Sequence, residues 1–176
     1  MRFVGRAFRG HDPKWSFDPI SGAGAALTGG RFNRRGRPAL YLSLDIVTAV
    51  AECTQGLGNR LLPLTICEYD IDCTPVADLS SEAGCAAHGV EPEALACSWL
   101  TFQRAGRAAP SQLAAEKLAA QGLAGMLVPS YFPGATAANV NLVLWRWGDA
   151  LPCRVAVHDP ASRLPRDQSS WGTPSG

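Results

Sequence analysis

Residues 28–52, TGGRFNRRGRPALYLSLDIVTAVAE, hold the pattern that decides the predicted fold. Two glycines stand before Arg31, and a glycine-containing turn follows it. The apolar run at residues 39–42 predicts a strand of about four to five residues, and the periodic segment after it predicts a helix. The unit therefore places a guanidinium, the hydroxyl of Tyr41 and the carboxylate of Glu52 on three adjacent elements.

The predicted helix follows Ser43, whose hydroxyl is expected to cap it, and carries Asp45 in its first turn, where an acidic residue is favoured. One stripe of the helix is apolar and a second holds Glu52. No basic residue lies three or four positions from Glu52, so an ion pair along the helix does not account for it. The alternatives are an exposed position for Glu52 and a core position for Tyr41.

The composition is that of an ordinary globular domain. Hydrophobic residues make up 47% and charged residues 18% of 176 residues, a length typical of one domain with a proper core. The net charge of +1 indicates no nucleic-acid or membrane partner. The six cysteines have no C-x-x-C or zinc-like spacing, and no segment resembles a signal peptide or a membrane span. These features predict a cytoplasmic protein with reduced, mostly buried thiols and no metal.

The rest of the chain mixes strand and helix patterns. Strands are predicted at residues 2–9, 61–71, 74–79, 125–129, 141–147 and 154–158. Helices are predicted at residues 80–88, 92–100 and 112–121, and glycines 56 and 58 are expected to end the first helix. Residues 11–27 are interpreted as a surface loop. The result is an α+β domain over residues 1–159, followed by a flexible tail at residues 160–176, which can bury little apolar surface.

Four other patterns are weak indications of function. Glycines 22 and 24 lack the third glycine and the preceding strand of a dinucleotide-binding fingerprint. Cys85 and His88 have a ligand-like spacing, but two ligands do not make a zinc site. The histidines have no partner motif for a nucleophilic triad. Arg34 and Arg35 are interpreted as a solvated turn.

Several separated motifs, in order and at suitable distances, resemble the RES domain family. The family pattern GGRWN…G…YLS…A…E matches GGRFN at residues 29–33, Gly36, YLS at residues 41–43 and AE at residues 51–52. A second block at residues 126–131 and 141–143 resembles the family's apolar strand ending in Pro-Ser and its Asn-led strand. The likeness covers residues 6–147, and its departures are Phe32 in place of Trp and Arg34 in place of Pro. The family's Arg, Glu and Ser positions fall on Arg31, Glu52 and Ser130.

The resemblance implies a bacterial toxin of a toxin–antitoxin pair. Its α+β fold is expected to be similar to that of ADP-ribosyltransferase toxins, with a split β-core flanked by helices. RES toxins use NAD⁺ as substrate: some cleave its nicotinamide–ribose bond with water or phosphate, and others transfer ADP-ribose to a protein. Phosphoribosyl-pyrophosphate synthetase is one target in the family. The implied partner is an Xre-type antitoxin that blocks the NAD⁺ pocket.

The resemblance and the chemistry of the side chains together predict the site. Glu52 is expected to stabilise an oxocarbenium-like ribose and to hold its 2′-hydroxyl. Arg31 is expected to bind the pyrophosphate through its planar fork. Tyr41 is expected to stack on the nicotinamide or ribose and to donate its hydroxyl. These three are the predicted catalytic residues, and Arg31 and Tyr41 also bind NAD⁺.

Three further residues are predicted to bind NAD⁺. Ser130 is expected to bond the nicotinamide amide or the adjacent ribose, and Arg6 the phosphate or ribose. Asn141 is the third, although it is equally interpreted as the start of a strand.

The acceptor of the ADP-ribose stays open at this level. A protein acceptor is favoured, because four aromatic residues on two long loops would form a docking rim. They are Trp15, Phe17, Tyr131 and Phe132. Packing of the same four against the body is the alternative. An NAD⁺ glycohydrolase or phosphorylase and an inactive interaction domain are the other functions, and the intact Arg31, Tyr41 and Glu52 disfavour the last.

Overall fold

The computed structural model describes residues 1–54 and 62–169. The strands are β1 (Phe3–His11), β2 (Leu40–Ser43), β3 (Thr65–Cys73), β4 (Val76–Asp78), β5 (Gly125–Pro129), β6 (Val140–Leu144) and β7 (Cys153–Val157). The helices are α1 (Ala23–Thr28), α2 (Ile46–Thr54), α3 (Glu82–Ala87), α4 (Pro92–Ala96), α5 (Trp99–Arg104) and α6 (Pro110–Ala120), with one 3-10 turn at Pro13–Trp15.

The strands of the described residues form one mixed sheet in the order β4-β5-β6-β2-β1-β3-β7. β1 pairs with β3 over nine residues, from Phe3 to His11. Towards β2, however, β1 has one registered pair, Phe8 with Ser43. The sheet therefore consists of two halves that meet at this pair, which confirms the predicted α+β fold and fits the expected split core.

Each face of the sheet packs against its own apolar core, because successive residues of a strand point to opposite sides. One core contains Leu42 of β2, Leu142 of β6 and Tyr69 of β3, and the partly buried Trp147 and Leu164 pack against it. The other contains Val143 of β6 and the residues that α3, α4 and α6 present to the sheet. Burial on both faces fixes the register of the central strands, since a slip of one residue would exchange the two cores.

Two predicted elements differ from the structure. The predicted loop at residues 11–27 contains α1, because an alanine-rich run favours a helix and Gly29, with φ of 73°, ends it. The helix predicted at residues 92–100 is two helices, α4 and α5. Cys97 interrupts them with extended ψ of 157°, and its carbonyl accepts a hydrogen bond from Arg31.

Several predicted boundaries are also shifted, and two of the differences have a clear physical cause. Asp45, and not Ser43, caps α2, because its carboxylate accepts the backbone N–H of Thr48 at 2.8 Å. The strand predicted to reach residue 147 ends at Leu144. The N–H groups of the next two residues both turn to the carbonyl of Ala124, at 2.8 and 3.2 Å.

Other expectations concern the thiols and the chain ends. All six cysteines are free, and four of them are buried, as predicted. Residues 160–169 contain no helix or strand, and Asp159 accepts the N–H groups of Arg163 and Leu164 there. None of the helices in the two described ranges is long and apolar enough to cross a membrane. The predicted end of the first helix at glycines 56 and 58, and the first residue of the predicted third strand, lie outside the described residues.

Candidate active site

A cleft of about 280 Å³ lies where the two halves of the sheet meet. β1 contributes Phe8 and Gly10, and β2 contributes Tyr41 and Ser43. Glu52 and Cys53 of α2 and Asn141 of β6 also line the cleft. The cleft therefore contains three of the predicted site residues, Tyr41, Glu52 and Asn141.

Glu52 is held by one donor at the start of the 130–139 loop and by another in β6, just after the loop. Ser130 Oγ donates to Glu52 Oε1, and Asn141 Nδ2 donates to the same oxygen at 2.6 Å. Ser43 Oγ in turn donates to Asn141 Oδ1 at 2.7 Å. The carboxylate is thus oriented in the free protein, and Ser43, expected to cap a helix, instead orients Asn141.

The Arg31 guanidinium lies between a carbonyl cluster and an aromatic ring. Its Nη1 donates to the carbonyls of Leu95 and Cys97 at 3.0 and 2.7 Å, and its Cζ stands 4.4 Å from the centre of the Tyr131 ring. Burial lowers the pKa of Arg31, while Tyr131, Cys97 and Glu52 partly offset this. An arginine stays charged under such a shift. Within the described residues, its Nε and Nη2 have no protein acceptor, so three N–H donors remain for an anion.

The backbone around Arg31 is fixed by side chains distant in sequence. The carbonyl of Gly30 accepts from Gln112 Nε2 at 2.9 Å, and that of Arg31 accepts from Ser111 Oγ at 2.7 Å. The carbonyl of the next residue accepts from Trp145 Nε1 at 3.0 Å. A Cβ on Gly30 would lie 2.6 Å from the Tyr41 hydroxyl, so this position requires glycine. The three donors were not predictable from the sequence, because no local motif marks them.

The Tyr41 hydroxyl is engaged by the loop that carries Arg31. It donates to Asn33 Oδ1 at 2.7 Å and accepts from the Phe32 N–H at 3.0 Å. Burial raises the pKa of Tyr41, so the hydroxyl stays protonated. Donation of this proton to NAD⁺ would require it to leave Asn33. Tyr41 still lines the cleft, and its stacking role stays a prediction.

Arg6 lies further along β1, on the same face as Phe8. It is exposed and pairs with Glu68 on β3 at 3.1 Å, and it does not line the cleft. Of the six predicted site residues, the structure therefore brings Tyr41, Glu52, Ser130 and Asn141 together. Arg31 stands near enough for the Glu52 charge to affect its pKa.

The weaker sequence patterns have structural explanations. Arg34 is exposed and bonds Glu116 at 2.5 Å, as expected of a solvated turn. This pair lies in a second groove of about 620 Å³, which contains none of the six predicted site residues. Cys85 is buried, and its thiol donates to the carbonyl of Leu79 at 3.5 Å. In the part of the chain that the structure describes, no cluster of His, Cys, Asp and Glu could hold a metal ion.

Comparison with known proteins agrees with this architecture. Residues 4–167 match the RES domain, so the chain belongs to the RES domain family. Its fold is similar to that in a crystal structure of the M. tuberculosis MbcT–MbcA toxin–antitoxin complex, with a TM-score of 0.64 and 22% sequence identity. The match covers 90% of this chain and 84% of that one. A sequence comparison with curated proteins gives no significant match.

Proposed function

We propose that this protein is the toxin of a toxin–antitoxin pair, and that it cleaves NAD⁺ in the cytoplasm. Membership of the RES family and the fold shared with a chain of a toxin–antitoxin complex support the class. The observation that carries the chemistry is the Glu52 carboxylate, which lines the cleft and is held by Ser130 and Asn141.

The proposed reaction breaks the bond between nicotinamide and ribose. The bonding electron pair leaves with the cationic nicotinamide, which departs neutral, so no general acid is required. The ribose carbon becomes oxocarbenium-like and is stabilised by a nearby anion. Glu52 supplies that anion, and its hydrogen bonds fix the orientation before the substrate arrives, which is the condition for a large electrostatic effect.

The size of the cleft indicates which part of NAD⁺ it receives. A volume of about 280 Å³ is at the lower limit for small-molecule sites, which span roughly 300–1,000 Å³. The nicotinamide and its ribose are therefore proposed to enter beside the Tyr41 ring, leaving the pyrophosphate outside. The remaining N–H donors of Arg31 suit the pyrophosphate, since a planar guanidinium bonds two oxygens at once.

For the acceptor we propose a protein, with phosphoribosyl-pyrophosphate synthetase as the candidate target. The supporting observation is the surface at residues 15–17, where Trp15 is 52% exposed and its ring lies 6.2 Å from that of Phe17. Exposed aromatic residues are typical of surfaces that dock proteins. Tyr131 does not belong to such a rim, because it packs under Arg31 and 6.3 Å from the Phe32 ring.

Incubation with NAD⁺ labelled in its adenylate phosphate tests this assignment. The purified protein is given the label in buffer, in cell extract and with purified phosphoribosyl-pyrophosphate synthetase. We expect protein-bound label that requires the extract or the synthetase. If the label stays in small molecules, and NAD⁺ is lost as fast in buffer without other proteins as in the extract, the protein is a glycohydrolase or a phosphorylase. No loss of NAD⁺ under any condition would indicate an inactive interaction domain.

The proposed partner is an Xre-type antitoxin that covers the cleft. Such a partner would contact Arg31 and the segment that contains Trp15. Hydrogen exchange of the free and the complexed protein measures this, and we expect slower exchange at residues 10–31 in the complex. Unchanged exchange there would place the inhibitory contact on a remote surface.

A further inference from the structure

A second set of hydrogen bonds joins α2 to the 130–139 loop, one helical turn from Glu52. Asn139 Nδ2 donates to Thr48 Oγ1 at 2.8 Å, and Thr48 Oγ1 donates to Asp45 Oδ2 at 2.5 Å. Thr48 is fully buried and precedes Glu52 by four residues, so the two side chains share one face of the helix. The loop therefore contacts α2 at two points, Thr48 and Glu52, which lie one helical turn apart.

The direction of each hydrogen bond in this set is determined. The backbone N–H of Thr136 donates to Asn139 Oδ1 at 2.8 Å, which turns Asn139 Nδ2 towards Thr48. Because the Thr48 hydroxyl accepts from Asn139, its one proton is available for Asp45. Removal of this hydroxyl would leave the donor Asn139 Nδ2 and the acceptor Asp45 Oδ2 without their partner, and both hydrogen bonds are partly buried.

The same asparagine also fixes the serine that bonds Glu52. The Asn139 carbonyl accepts the backbone N–H of Ser130 at 2.7 Å, and Ser130 Oγ donates to Glu52. Asn141, the second donor to Glu52, follows two residues after Asn139. The contact with Thr48 thus holds the loop at the point from which Ser130 and Asn141 extend to the carboxylate.

We propose that Thr48 and Asn139 are positioning residues for Glu52. They set the separation between α2 and the 130–139 loop, and thereby the orientation of the carboxylate towards the ribose. This inference rests on the proposed cleavage of NAD⁺ at Glu52. Neither residue lines the cleft, so both act through Ser130 and Asn141 and not through substrate contact. Loss of the contact should lower kcat and leave the KM for NAD⁺ nearly unchanged.

The variant Thr48→Val tests the proposal, because it keeps the branched shape and removes the hydroxyl. We expect a kcat about tenfold to a hundredfold lower, as for a small misplacement of a catalytic group. Thr48→Ser keeps the hydroxyl and should restore most of the rate. Thr101→Val, at an exposed position in α5, controls for the general effect of this substitution in a helix. In a Ser130→Ala background, Thr48→Val should cost less than in the wild type.

Hydrogen exchange at the Ser130 amide gives a readout that is independent of activity. Thr48→Val should accelerate it, and Thr48→Ser should not. Unchanged exchange together with unchanged kcat would overturn the proposal, as would an effect confined to KM. If the wild type consumes no NAD⁺, the proposed function fails, and exchange at Ser130 alone decides whether Thr48 positions the loop.

Discussion

At the residue scale, the candidate site consists of side chains that are oriented before any substrate binds. Glu52 accepts hydrogen bonds from Ser130 and Asn141. Arg31 donates to the carbonyl of Leu95 in α4 and to that of Cys97, the residue after α4. Preorganised groups of this kind need no rearrangement during the reaction, which is the main source of electrostatic catalysis. The site is therefore expected to tolerate few changes, even those that keep charge.

Arg31→Lys should weaken NAD⁺ binding although the charge is kept. A lysine ammonium cannot bond both carbonyls, at Leu95 and Cys97, and still present a planar fork to a pyrophosphate. Loss of charge-assisted hydrogen bonds corresponds to a rise in KM of about tenfold to a hundredfold. Steady-state kinetics measures it, with Arg37→Lys at an exposed position as the control. An unchanged KM would exclude Arg31 from phosphate binding.

At the element scale, the position of α2 over the sheet depends on a close approach to β1. Gly10 permits it, because a Cβ at this position would collide with Cys53 Sγ and lie 3.2 Å from Ile66 Cδ1. Glu52 is the neighbour of Cys53, so a shift of the helix at this point would move the carboxylate.

Gly10→Ala should therefore lower NAD⁺ turnover by displacing α2. Adding Cys53→Ala removes the sulfur that the new methyl group meets, and the double variant should recover much of the loss. Turnover of the single and double variants is compared with that of Cys53→Ala alone. A double variant no more active than Gly10→Ala would show that the helix position does not control the reaction.

An element or a contact was predictable from the sequence only where neighbouring residues carry its signal. Strands β1, β2 and β5 and helices α2 and α6 were predictable, because an alternating pattern, two apolar runs and helical periodicity mark them locally, and the segment from Gly29 to Glu52 forms one continuous unit. The anchors of Arg31 were not predictable, because Ser111, Gln112 and Trp145 act through a fold that joins distant segments. The contact between Thr48 and Asn139 was not predictable for the same reason, since it spans 91 residues.

At the scale of the whole molecule, the split of the sheet places the cleft at the junction of its two halves. On the opposite face of β1 lies a buried polar cluster that holds residues 12–22. His11 Nε2 bonds the Tyr69 hydroxyl at 2.6 Å, and that hydroxyl donates to the carbonyl of Pro19 at 2.8 Å. Arg9 donates to the carbonyls of Pro19 and Ser21 at 3.2 and 2.9 Å. The segment with Trp15 is thus fixed to the body by Tyr69 and Arg9, and His11 supports the Tyr69 hydroxyl.

This cluster should make stability depend on pH. Burial lowers the pKa of His11 to about 4, and the charge of Arg9 acts in the same direction. Between pH 6.5, near the ordinary pKa of histidine, and pH 4, His11 binds a proton in the unfolded chain that it does not bind in the folded chain. The free energy of unfolding should therefore fall as pH is lowered, by up to about 2 kcal/mol between pH 6.5 and 5. Urea unfolding of the wild type and of His11→Gln measures this, and equal pH slopes for the two would contradict it.

The central claim, that Glu52 stabilises the cleavage of NAD⁺, is tested most directly by nicotinamide release from purified protein. Glu52→Gln keeps the size of the side chain and removes its charge, and Glu93→Gln, exposed in α4, is the matched control. We predict release by the wild type and by Glu93→Gln, and a rate about 10²–10³-fold lower for a folded Glu52→Gln. Release by Glu52→Gln at the wild-type rate, or no release by the wild type, would contradict the claim.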